Sequence, residues 1–121
     1  MKNKPIYLLT LEDFVGLYRI PKEGKILFQL EIMSSGEFII RGTDSKEIDR
    51  GRIEFLYDEG MNELYAILKD SIKVKISEVD KDGFCMTFPN ENEFQTFPRF
   101  HNFWKINKGE INIAKIVYAR I

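Results

Sequence analysis

One cysteine, Cys85, and one histidine, His101, stand in a chain of 121 residues. A lone cysteine excludes an internal disulfide and suits a reducing compartment, so the expected location is the cytoplasm. A zinc site draws three or four ligands from Cys, His and carboxylates, and one Cys and one His in the chain argue against one. Charge imbalance is missing too: 18 basic residues meet 19 acidic ones. A nucleic-acid polymer is therefore not an expected partner, because such partners demand a basic excess. No apolar run approaches the roughly 20 residues of a membrane helix. The apolar stretch Ile6-Tyr7-Leu8-Leu9 stops before Glu12 and Asp13, too short for a signal-peptide core, and no membrane role is expected. Gly42, Gly51 and Gly60 are isolated, so no glycine-rich phosphate loop exists, and no Gly-x-Ser-x-Gly elbow is present.

Short alternating segments broken by turn residues fill most of the chain. Ile26, Phe28, Leu30 and Ile32 fall on one side of 25–33, and Phe38 and Ile40 continue after Ser35-Gly36. Period-two alternation marks a strand with one buried face. The same pattern places strands at 37–43, 51–57, 63–69, 71–78, 84–89 and 93–99, with a last one near 111–119. The segment 43–50 reads as a polar loop. Thr10 with Asp13 forms a capping-box-like start for a short helix over 10–18, which Gly16 cuts early. Phe100, Phe103 and Trp104 take helical spacing after Pro98 and predict a second short helix near 99–106. Short connections favour antiparallel neighbours, and a meander of about eight strands removes its exposed edges by closing into a barrel. The expected architecture is one all-β domain spanning 1–121.

Phe14-Val15-Gly16-Leu17-Tyr18 is similar to the entry of the lipocalin and fatty-acid-binding barrels, where a helical turn leads into Gly-x-Trp. Tyrosine stands here in the tryptophan position. In those families an arginine at the end of the last barrel strands packs over the tryptophan. Arg99 fills that role on this reading, with Arg120 as the competing candidate. The resemblance implies a lipocalin-like β-barrel.

Candidate chemistry is sparse. Any nucleophilic or acid–base site at neutral pH would draw on His101, so an enzyme is not the expected class. Glu78-x-Asp80-x-Asp82-Gly83 looks like the start of a calcium loop, but its twelfth position is Pro89 instead of a bidentate glutamate. The segment 94–105 interleaves aromatics with Arg99, His101 and Lys105, a composition that suits a stacked, anionic ligand. The leading expectation is a non-enzymatic small-molecule-binding protein without cofactor or metal, its ligand anionic or nucleotide-like. Phe28, Leu30, Phe38, Ile40, Phe55, Val74, Met86 and Phe88 would line a barrel-end pocket. Arg99, His101, Trp104 and Lys105 would hold the polar part of the ligand. The alternative is a protein-interaction module, of inhibitor, immunity or assembly type, with a filled barrel. It would use an outer strand face bearing Leu27, Ile39, Leu56 and Ile67, for a protein partner or a second copy of the chain.

Overall fold

The computed structural model describes residues 4–22, 25–42, 44–88, 102 and 115–121. A single 3-10 turn (Ile6–Leu8) and one helical turn, α1 (Leu11–Phe14), precede the strands. The strands are β1 (Gly16–Lys22), β2 (Lys25–Ile32), β3 (Glu37–Arg41), β4 (Glu47–Asp58), β5 (Glu63–Leu68), β6 (Ile72–Asp80), β7 (Gly83–Thr87) and β8 (Ile116–Arg120). Each pairs antiparallel with the next, and β8 returns to β1, so the meander closes into a barrel. Among the described residues no helix is long and apolar enough to cross a membrane.

Alternation explains why these segments are strands. Ile72, Val74 and Ile76 are buried while Lys73 and Lys75 face out, and Leu64, Ala66 and Leu68 form the matching inward set on β5. The β5–β6 hairpin turns through Lys69 and Asp70, with φ of 55° and 62°. Two consecutive positive φ values give the turn whose twist matches the right-handed twist of paired strands. Ser71 N–H closes it onto Leu68 O at 3.1 Å. β3 departs from strict alternation: Phe38, Ile39 and Ile40 are all buried.

The eight strands differ in membership from the expected eight. Gly16–Lys22 is a full barrel strand, and the helix before it is only Leu11–Phe14. Val15 and the residues after it are extended because β1 takes its hydrogen bonds from β2 and β8. The expected polar loop 43–50 gives up its second half to β4, which starts at Glu47. Asp49 is held there by Lys69 Nζ at 2.9 Å, twenty positions away, and Ile48 packs against the core. The last strand begins at Ile116. The expected strand at 93–99 lies outside the described residues, and so does the helix near 99–106, save Asn102.

The seam between β7 and β8 depends on one glycine. Gly83 pairs with Ala119, has φ of +149°, and a Cβ there would meet Tyr118 O at 1.9 Å. No side chain fits that approach, and the backbone angle itself excludes other residues. Gly83→Ala is expected to cost about 2–4 kcal/mol, by strain and a displaced strand. Gly60→Ala, whose nearest neighbour is a side-chain oxygen at 3.4 Å, should stay within about 0.5 kcal/mol of wild type. Urea unfolding of both variants checks this; equal midpoints would contradict the seam argument.

Candidate functional site

The barrel has two unlike ends, set by strand direction. At one end lie α1, the 33–36 and 59–62 turns, the Asp82 turn and Arg120. At the other lie the 42–46 and 69–71 connections, and there β7 ends and β8 begins.

The first end is sealed. The Thr10 backbone N–H donates to the Asp13 carboxylate at 2.9 Å, and Lys4 Nζ reaches the same carboxylate at 2.9 Å. Those two contacts, the backbone one foremost, hold Asp13 below the usual carboxylate range. The capped turn aims Phe14 inward, where it is 1% exposed. Its ring stacks on Phe55 at 4.1 Å and meets the edge of Phe84 at 5.4 Å. Phe84 in turn packs edge-on against Tyr18 at 4.9 Å.

Arg120 ties this plug to the sheet. Register places it opposite Tyr18, and its guanidinium lies 4.8 Å from the centre of the Tyr18 ring. It donates to Tyr18 Oη at 2.8 Å, Val15 O at 3.0 Å and Asp13 O at 3.2 Å. The Tyr18 hydroxyl in turn donates a hydrogen bond to Phe14 O at 2.7 Å. Gly16 makes room for the cation: a Cβ there would sit 2.5 Å from Arg120 Nη1. Arg120, the competing candidate for the arginine of the Gly-x-aromatic entry, packs on Tyr18, and Arg99 lies outside the described residues. The two strands that close the barrel bring Tyr18 and Arg120 into register, and no local sequence pattern encodes that pairing.

Further up the barrel is a small internal chamber. Leu30, Phe38, Ile40, Leu68, Met86, Phe88 and Tyr118 line it, and its volume is about 10 Å³. Of the expected wall residues, Leu30, Phe38, Ile40, Met86 and Phe88 meet here. Phe28 and Val74 are buried in the same core but do not line the chamber. Phe55 belongs to the plug, stacked on Phe14. Arg99, His101, Trp104 and Lys105 lie outside the described residues. Leu68 and Tyr118 were missed as site residues; both follow from alternation in their strands, Tyr118 as the inward neighbour of Ile116.

A polar cluster sits on the outer face. The Cys85 thiol donates to Glu78 Oε2 at 2.8 Å, and Lys115 Nζ donates to Glu78 Oε1 at 2.7 Å. Burial and the facing Glu78 carboxylate push the thiol up to about 11. It is protonated at neutral pH and a poor nucleophile. Asp80 accepts the Asp82 backbone N–H at 2.7 Å, and no metal-ligand cluster occurs among the described residues. The expected outer contact face is also dispersed. Ile39 is buried opposite Arg50, whereas Leu56 is exposed opposite Tyr65. Those positions are about 20 Å apart along β4. The Leu27 side chain is outside the described set.

No family model, curated protein or solved structure matches this chain. The described strands form an eight-stranded antiparallel closed β-barrel.

The clasp makes two measurable claims. Arg120→Met and Tyr18→Phe should each cost about 1–3 kcal/mol, because each strands a buried hydrogen-bonding group. Combined, they should be non-additive by about 0.5 kcal/mol or more in a double-mutant cycle, since both remove one shared contact. Strict additivity would show that Arg120 and Tyr18 act separately. Burial also raises the Tyr18 phenol from about 10 to about 12. A raised value in the folded state means stability is intact below pH 10 and is lost as pH climbs from 10 towards 12. Alkaline unfolding of wild type should show this loss, and Tyr18→Phe should flatten it; an unchanged alkaline profile in Tyr18→Phe would contradict it.

Proposed function

We propose that this chain is a non-enzymatic binding protein that takes a small molecule into the barrel interior, beneath the end opposite Arg120. The observation that carries the proposal is the asymmetry of the interior. One end is sealed by Phe14 and the Arg120 clasp, while among the described residues the chamber above it has apolar walls and a single hydroxyl. Apolar walls with few polar groups are the usual composition of a ligand pocket.

At about 10 Å³ the chamber has room for one water. Ligand pockets run to roughly 300–1,000 Å³, so uptake requires wall side chains to give way. Met86 and Phe88 are the two placed to do so. Met86 is unbranched and adaptable, and Phe88 is the residue at which the chain leaves β7.

A saturable 1:1 titration with the apolar dye N-phenyl-1-naphthylamine tests this. Met86→Ala should bind it at least as tightly as wild type, and Met86→Trp about tenfold or more weakly. Native mass spectrometry of the purified protein would show any retained ligand. Absence of dye binding in both wild type and Met86→Ala would overturn the proposal.

A second reading, an interaction module, is favoured by a groove of about 690 Å³ on the outside of the barrel. Leu17, Met33, Ser34 and Ser35 line it, beside the Arg41–Glu31 ion pair at 2.9 Å. Mass that rises with concentration, without dye binding, would support that reading instead.

A further inference from the structure

We propose that Tyr118 is the hydrogen-bonding anchor of the chamber, and that the molecule it receives presents a neutral acceptor such as a ketone, ester or amide carbonyl. This inference rests on the interior-binding reading above and names the chemistry of the same site.

Tyr118 faces inward on β8 between exposed Val117 and half-buried Ala119, and is 4% exposed. Its ring packs against Phe84 at 5.4 Å. Its hydroxyl makes no hydrogen bond among the described residues, and burial alone acts on it, pushing the phenol well up. No fully enclosed side-chain nitrogen or oxygen lacks a partner among those residues. The hydroxyl therefore borders open space, and on the inward side of β8 the space that Tyr118 lines is the chamber.

Tyr18 is the informative contrast. It occupies the same inner surface on the neighbouring strand, and its hydroxyl is used twice, once as donor and once as acceptor. Buried tyrosines ordinarily find such partners, and phenylalanine serves where none exists. A hydroxyl kept without one, against walls of Leu30, Phe38, Ile40, Leu68, Met86 and Phe88, marks a position for an incoming group.

The chemistry of that group follows from the lining. The phenol remains protonated throughout the ordinary pH range, so it offers a donor. Among the described residues no lining side chain is cationic, and against those walls a carboxylate would lose its hydration without a counter-ion. A lone water is a poor occupant, because a buried water needs two to four polar partners and the lining side chains supply one hydroxyl. A carbonyl on an apolar body satisfies the phenol and the walls together.

Calorimetric titration with octan-2-one and its hydrocarbon isostere 2-methyloct-1-ene, against wild type and Tyr118→Phe, tests the assignment. Octanoate serves as the anionic comparison. The ketone-to-alkene affinity ratio should fall about threefold to tenfold in Tyr118→Phe, the worth of one net hydrogen bond. Alkene affinity should be unchanged, and octanoate should bind weakest to both proteins. Tyr118→Phe should match or exceed wild-type thermal stability, since it deletes a hydroxyl without a partner. An unchanged ratio with both ligands bound would overturn the anchor while leaving interior binding intact. A marked loss of stability in Tyr118→Phe would overturn it too, by showing the hydroxyl already paired. No binding of either neutral ligand to wild type or to Met86→Ala would overturn the interior reading and the anchor with it.

Discussion

The closure of the barrel depends on Arg120. The β1–β8 seam is short: Tyr18 faces Arg120 and Arg19 faces Ala119. The Ile121 N–H reaches Leu17 O at 2.9 Å and lengthens it slightly. A short ladder between the first and last strands is a weak place to close a sheet, because bringing chain ends together carries the largest loop entropy. The guanidinium compensates by spanning several elements at once. It touches the β1 tyrosine and the carbonyls of α1 and the residue after it, so the strand seam and the plug form one unit. Charge-assisted hydrogen bonds to three oxygens, in a partly buried setting, are stronger than their neutral counterparts.

That closure shapes the interior. With Phe55, Phe14, Phe84 and Tyr18 linked by successive ring contacts at one end, the remaining inward side chains pack against a fixed floor. Above it the described walls are apolar apart from the Tyr118 hydroxyl. The outside of the barrel has a different character. There Lys75 pairs with Glu63 at 3.2 Å and Lys73 lies 4.1 Å from the Tyr65 ring centre. Glu78 there gathers Cys85 and Lys115. Exposed ion pairs of this kind contribute little to stability individually.

Legibility followed the range of the interactions. The β5–β6 hairpin was readable because alternation and turn residues are local, and the structure keeps the inward sets of both strands. The start of β4 was hidden because Glu47, Asp49 and Arg50 look like loop residues. Asp49 takes its side-chain partner from Lys69, a neighbour across the sheet. The chamber walls Leu30, Phe38, Ile40, Met86 and Phe88 were legible as inward positions. Phe55, with the same pattern, was claimed by the plug because Phe14 lies against its ring. Tyr118 went unnoticed as a site residue because only its surroundings distinguish it from Tyr18.

Sequence by itself determined the β class, the antiparallel meander, the capped turn before Gly16 and the inward or outward sense of most strand residues. Those follow from a two-residue period and from short connections, which act over a few positions of chain. Tertiary structure decided which arginine clasps Tyr18, which inward side chains fill the plug and which face the chamber, and whether each buried hydroxyl has a partner. Those choices are made by register between strands that lie up to a hundred positions apart, where closure of the sheet selects the neighbour and no local pattern can.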